Sequence, residues 1–314
     1  MKELSRREFA SLVASAAAPL VFGQGVAGSP AITADDLIAR IKAQIGVPWK
    51  PETIDGLKAG DGTTVVTGVA STALATLAVL RRAADAGANF VVTTQPTFYS
   101  RADTRQPPSG RSGRGGIAAP PAPAITTDLP PADPVSAAKN SLIDERKLVV
   151  FRLSEHWRLR QPDPLADGIA QAMGWTKYRS LTDPRRFDVP AQMLASLVST
   201  IQKNLGARGG IRVVGDPQTT VRRIGLLPGS TPIQASLALL PDVDVILAGE
   251  VREWESVEYA RDHVFGGEKK ALILVGRVVS EEPGMRACAD WLKTVTPDLP
   301  VRHLPAGDPY WRPA

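Results

Sequence analysis

Short runs of β-branched and apolar residues alternate with longer segments of helical period along almost the whole chain beyond residue 32, and Gly, Pro or Asp stands at nearly every junction. A strand that returns parallel to its neighbour needs a helical crossover, so this alternation predicts an α/β protein and argues against all-helical and all-β folds. Thr33 followed by Asp36 has the form of a capping box, and Leu37, Ile38, Ile41 and Ile45 recur at helical spacing before Gly46, which predicts a helix over Thr33 to Ile45. Thr63 to Val69 reads as a strand, Ser71 to Ala86 as a helix, and Asn89 to Thr94 as a second strand stopped by Gln95-Pro96. Together these form a βαβ unit. Ligands of open parallel sheets gather beyond the carboxyl ends of strands, which makes Thr93-Thr94-Gln95-Pro96 a candidate site.

The alternation continues with a helix over 134–146, a strand over 147–153, and helices over 164–173 and 190–205. Strands follow over 211–214, 221–227, 243–248 and 271–275, separated by helices over 231–240, 253–264 and 281–295. Residues 101–134 interrupt this order. They are rich in Pro, Gly, Ser, Ala and Arg and show no apolar period, which predicts a disordered surface insertion inside a first half spanning 32–178; the second half spans 179–314.

At the front of the chain, Ser5-Arg6-Arg7-Glu8-Phe9 precedes a stretch without formal charge from Ala10 to Ala34. Its apolar part is too short to anchor in a bilayer and ends in small residues, so residues 1–31 are expected to be a twin-arginine signal peptide. The chain is then exported, periplasmic or extracellular, with the twin-arginine translocase as its partner during export. Cys288 is the single cysteine of the 314 residues and excludes an intramolecular disulfide, while 43% apolar residues suffice for a core. The net charge of +5 owes much to Arg101, Arg105, Arg111 and Arg114 in the insertion and to Arg6 and Arg7 in the leader, so no nucleic-acid partner is expected.

Four strand ends carry the candidate chemistry: Phe90 to Tyr99, Val149 to His156, Asp244 to Glu250, and Ile273 to Glu281. In order, spacing and position they resemble the NIF-three-like family, also called type 2 GTP cyclohydrolase I or dinuclear metal centre hexameric proteins. The resemblance runs from the first helix to Asp308-Pro309 and breaks only at 101–134. It implies two interleaved α/β domains around a central cavity, assembly into a homo-oligomer, a hexamer, and two divalent metal ions. In the family these ions are held by a His-His-Pro after the first βαβ strand, a His and an Asp after the middle strand, and a His-x-x-x-Glu opening the last long helix. Matched residue by residue, the His-His falls on Thr94 and Gln95, the middle His on Ser154 or, with a small shift, His156, and the last pair on Arg277 and Glu281. Simple spacing puts the middle carboxylate on Arg158, whereas Glu155 could serve if the strand end is remodelled. Gly249-Glu250 matches a Gly-Glu of the family, and Glu250 is expected to support loops around the cavity.

A dinuclear centre needs several imidazoles and carboxylates to offset dehydration of the cations. Thr94 and Gln95 offer neutral oxygens, and Arg277 brings a fixed positive charge to the place of a cation. The expectation is therefore a degenerate metal site without a metal cofactor, in which Arg277 and Glu281 pair at i,i+4 or Arg277 receives a small anionic ligand. The function that follows is ligand or protein binding. The alternative is a metal-dependent hydrolase acting on a nucleotide or other phosphorylated small molecule, with one metal held by Glu281, Glu155 and His156. Beside Trp157, His156 is read first as a packed residue, and His263 and His303 as surface residues. Pro228-Gly229-Ser230-Thr231 is read as the cap of a helix ahead of a phosphate cradle.

Overall fold

The computed structural model describes residues 31–99, 103–105, 133–207 and 210–310. The expected signal peptide and most of the expected insertion lie outside the described residues. In chain order the elements are α1 (Ala34–Gln44), β1 (Gly56–Ala59), β2 (Val69–Thr72), α2 (Leu77–Asp85), β3 (Phe90–Thr93), α3 (Pro134–Glu145), β4 (Val149–Arg152), α4 (Glu155–Leu159) and α5 (Pro164–Ala172). They continue as β5 (Arg186–Met193), α6 (Leu194–Leu205), β6 (Arg212–Val214), β7 (Thr220–Ser230), α7 (Ile233–Leu239), β8 (Val245–Glu250), α8 (Glu258–Phe265), β9 (Ala271–Leu274), α9 (Arg277–Val295) and β10 (Val301–His303). No helix among the described residues is long and apolar enough to cross a membrane.

The strands form two five-stranded sheets, ordered β1-β4-β3-β2-β10 and β5-β7-β8-β9-β6. In the first, β4, β3, β2 and β10 are parallel and β1 is antiparallel to β4. In the second, β7, β8 and β9 are parallel, flanked by antiparallel β5 and β6. The central strands β2, β3, β4 and β9 are buried at every residue, as parallel strands covered on both faces must be. Interleaving is literal. The second sheet is inserted between β4 and β10, and residues 301–303 return to pair with 69–71 of the first sheet. Residues 179–314 therefore do not form a self-contained half.

Helix α9 joins the two sheets. Its Met285, Cys288, Leu292 and Val295 lie in one core with Val69, Phe90 and Phe151 of the first sheet, whereas its Val279 lies in another with Ile224, Val245 and Ile273 of the second. The Ser71 hydroxyl of β2 donates to the Met285 carbonyl at 2.7 Å, tying the middle of α9 to the first sheet. Against α5 the approach is closer still. A Cβ on Gly168 would come within 2.5 Å of Gly284 N, and one on Gly284 within 2.6 Å of Leu165 Cα.

Several elements differ from the sequence expectation for identifiable reasons. The capping box of α1 forms as expected, with Thr33 and Asp36 bonded reciprocally. The first strand of the βαβ unit is Val69–Thr72 rather than 63–69, and the helix begins only at Leu77, capped by the Thr76 hydroxyl on Val79 N at 3.1 Å. Ser71 and Thr72 look like helix-start residues but are buried in a strand. The helix expected over 190–205 begins at Leu194, because Phe187 and Val189 alternate inward as a strand. Pro190 is tolerated there because β5 is an edge strand whose register shifts between Asp188 and Gln192. Within the expected insertion, residues 103–105 are packed. Asp103 is buried and accepts from Thr97 N at 2.6 Å and Phe98 N at 2.9 Å, while Arg105 pairs with Asp144 at 2.8 Å.

Candidate functional site

The carboxyl ends of the parallel strands from both sheets meet at the start of α9. Gln95 follows β3, Ser154 and Glu155 follow β4, Gly229 lies at the end of β7, Gly249 at the end of β8, and Arg277 shortly after the end of β9. Gly276, at φ +92°, makes the turn from β9, and α9 starts immediately, without a side-chain cap on its first-turn amides. The helix start, expected at Glu281, is at Arg277, which places Arg277 and Glu281 on successive turns.

Glu281 is the centre of this region, with 1% of its surface exposed. The Gln95 side-chain amide donates through Nε2 to both of its oxygens, at 2.6 and 2.7 Å. Arg277 stands further off, with Nε 3.9 Å from Oε1. The ion pair expected between these two residues is thus a loose one, because the neutral amide of Gln95 has the shorter contacts. Burial pushes the Glu281 carboxyl up to about 7, against the opposing pull of the Gln95 amide and the charges of Arg277 and Arg158. Gly229, at φ +79°, closes over the carboxylate so tightly that a Cβ there would lie 2.6 Å from Oε1. Its amide donates to the Ser280 hydroxyl oxygen at 2.9 Å, and Gly249 packs on the same hydroxyl. Glycines at 229 and 249 are what allow both strand ends to reach the helix.

The end of β4 is organised by a residue that spacing did not reveal. Asp55, buried just before β1, accepts from the backbone amides of Ser154, Glu155 and His156 at 2.6, 3.0 and 2.8 Å, and so caps α4 from a distance. Its Oδ2 also accepts a hydrogen bond from His156 Nδ1–H at 2.8 Å, the tautomer set by His156 Nε2 accepting from Lys50 N at 2.9 Å. Both ring nitrogens are therefore engaged, and Trp49 stacks on the ring face at 3.8 Å. Fully buried, His156 packs as one of the two readings had it, with neither ring nitrogen left free. Glu155 turns toward a different loop, accepting from the Thr53 hydroxyl at 2.5 Å and from Ile54 N at 3.3 Å. The Thr53 contact, chiefly, holds its carboxyl below the usual glutamate range. Glu155, His156 and Glu281 thus have three separate sets of partners. Thr94 and Ser154 bond to each other through their hydroxyls at 3.3 Å.

Beside the Gln95–Glu281 contact, Arg277 lines a cavity of about 730 Å³ together with Leu74, Ile211, Val275 and Val278. Glu250 is at its wall, exposed, and its backbone carbonyl accepts from Thr231 N at 3.1 Å. A second guanidinium within electrostatic reach of Arg277 is that of Arg152, at the end of β4 and 6% exposed. Arg152 escaped the sequence reading because a cation in an apolar strand carries no distinctive spacing. Two minor expectations are also corrected. Neither Ser230 nor Thr231 caps α7, whose N-cap position is Pro232. His303 is no surface residue: its side chain is 6% exposed, with Nδ1 3.1 Å from the Ser71 carbonyl and Nε2 2.8 Å from Glu282.

Two divalent cations do not fit the side chains present. Among the described residues no three His, Cys, Asp or Glu side chains come together as a donor set. Glu281 is occupied by an amide, His156 has no free nitrogen, and the Arg277 charge opposes a cation.

Two interleaved parallel-centred sheets sharing one long helix, with their strand ends facing one another, define a known class of α/β protein. The fold is similar to that of the Staphylococcus aureus hypothetical protein SA1388, at 15% identity and a TM-score of 0.64 over 89% of this chain and 99% of that one. A Bacillus cereus protein related to NIF3 gives 12% identity and 0.64 over 90% and 100%, and TTHA1606 from Thermus thermophilus gives 16% and 0.62 over 89% and 99%. Residues 160–306 match the Duf34/NIF3 (NGG1p interacting factor 3) family. No protein of curated function matches the chain in sequence.

Proposed function

We propose that this protein acts by binding a small ligand at a family site that has exchanged its metal-holding side chains for a hydrogen-bonded network. The observation that carries this reading is the Gln95 amide seated on both oxygens of Glu281, with Arg277 beside it. At three of the four positions where the family resemblance calls for imidazoles, this chain has Thr94, Gln95 and Arg277; the fourth falls on Ser154 or His156. Such a set favours an anion over a cation, and the cavity at Arg277 gives that anion room. The engagement of both His156 nitrogens speaks against a metal-dependent hydrolase built on Glu155, His156 and Glu281.

Metal analysis and calorimetry test the reading together. The purified parent is expected to take up Zn or Mn hardly at all, Thr94→His with Gln95→His weakly, and the triple variant with Arg277→His measurably, since only the last removes the opposing guanidinium. Near two equivalents of Fe, Zn or Mn per chain in the parent, lost on Glu281→Ala, would overturn it. We further propose export by the twin-arginine route, supported by Arg6-Arg7 and the charge-free stretch that follows. Replacing both arginines by lysine is expected to leave precursor in the cytoplasm; unchanged export of that variant refutes the assignment.

A further inference from the structure

The binding reading leaves the chemistry of the ligand open, and two guanidinium groups narrow it. Arg277 Nε is buried, and among the described residues nothing accepts a hydrogen bond from it; the closest carboxylate oxygen, on Glu281, is 3.9 Å away and already receives the Gln95 amide. Arg152 is in the same condition. Its Nε and Nη1 are buried without an acceptor among the described residues, and its ion pair with Asp103 is stretched to 3.7 Å. The two charges also feel each other. Burial holds Arg152 below the usual arginine value, and the charge of Arg277 pushes it in the same direction. The Arg277 side chain is 40% exposed and lines the cavity, so an oxyanion there would meet its guanidinium and offset the combined positive charge of the two arginines.

The cavity decides which oxyanion. Its lining includes Leu74, Ile211, Leu274, Val275, Val278 and Val279, which offer an occupant an aliphatic surface. Arg212, Glu250 and Asp308 are also at the wall, so charges of both signs flank the aliphatic patch and the cavity is not a purely cationic one. A planar carboxylate matches the guanidinium fork and brings one negative charge. A volume of about 730 Å³ is within the range of sites that enclose a drug-sized molecule.

We infer that the ligand is an organic monocarboxylate with an apolar body, its carboxylate on Arg277 and its body in the cavity lined by Leu74, Ile211, Val275 and Val278. This rests on the binding reading above, and the test separates the two. The probes are 2-naphthoate, its neutral amide 2-naphthamide, and inorganic phosphate, titrated calorimetrically into the full chain. Naphthoate is expected to bind the parent at least tenfold more tightly than naphthamide. Arg277→Gln should abolish that preference, and Arg277→Lys, which keeps the charge without the fork, should retain part of it. Leu74→Trp, which fills the cavity, should weaken naphthoate at least tenfold; Ile211→Trp replaces it if circular dichroism shows that the first variant does not fold. Equal binding of acid and amide, or naphthoate binding unchanged in Arg277→Gln, overturns the inference. Arg277-dependent binding of phosphate without binding of naphthoate also overturns it but leaves the binding reading standing, whereas uptake of two metal ions by the parent removes both.

Discussion

Glu281 shows how one side chain can keep a family position and change its physics. Its carboxyl is raised from an ordinary 4.5 to about 7 because almost none of it touches water. Between those values the folded chain holds a proton that the unfolded chain has released, so the contribution of Glu281 to stability is complete below about pH 4.5 and is lost as pH rises through 7. The loss amounts to about 3 kcal/mol. Glu281→Gln keeps the shape of the protonated acid and cannot ionise. Denaturant unfolding of parent and variant is expected to show the parent losing stability relative to the variant by about that amount between pH 4.5 and pH 8. A difference that does not vary with pH would mean that Glu281 is hydrated or remains ionised throughout. The matched position of Glu281 was readable from the sequence; its raised pKa was not, since that depends on burial and on Gln95, Gly229 and Arg158, which lie 186, 52 and 123 residues away and meet only in the fold.

Among the elements, local signals located most helices and buried strands, and failed where a partner supplies the missing information. Thr33 and Asp36 satisfy each other within three residues, so α1 was legible. β10 has three residues and no pattern of its own; it is a strand only because the edge of β2 receives it. β1 likewise depends on β4. The crossing of α5 and α9 is another such case, since two glycines in helices ordinarily weaken them. Here they let the backbones touch. Gly168→Ala or Gly284→Ala would force a Cβ to within 2.6 Å or less of the other helix, and each is expected to cost about 2–4 kcal/mol despite the better helix propensity of alanine. The double variant should cost less than the sum, because helices already separated by one methyl accommodate the second. Stabilisation by either change would show that the helices are free to separate.

For the whole molecule, α9 and β10 bind the two sheets into one folding unit. Removing residues 301–314 takes away β10, uncovers the edge of β2, and leaves Glu282 without His303. The truncated chain is expected to melt roughly 10 °C or more below the parent in scanning calorimetry. The parent itself should unfold in a single transition, because Ser71, Met285 and Ser280 tie both sheets to one helix. Two resolved transitions, one of them unaffected by truncation, would show the sheets to be independent.

By itself the sequence determined the α/β alternation and the chemical character at positions 94, 95, 277 and 281, because those depend on local period and on residue identity. Tertiary structure decided everything that turns on distance. It gave the Glu281 oxygens to Gln95 and left Arg277 loosely paired, closed His156 between Asp55 and Lys50, and brought Arg152 within electrostatic reach of Arg277. Contacts between residues far apart in sequence leave no spacing to read, and burial, which both raises the Glu281 carboxyl and leaves nitrogens of the two arginines without an acceptor among the described residues, is a property of the packed whole.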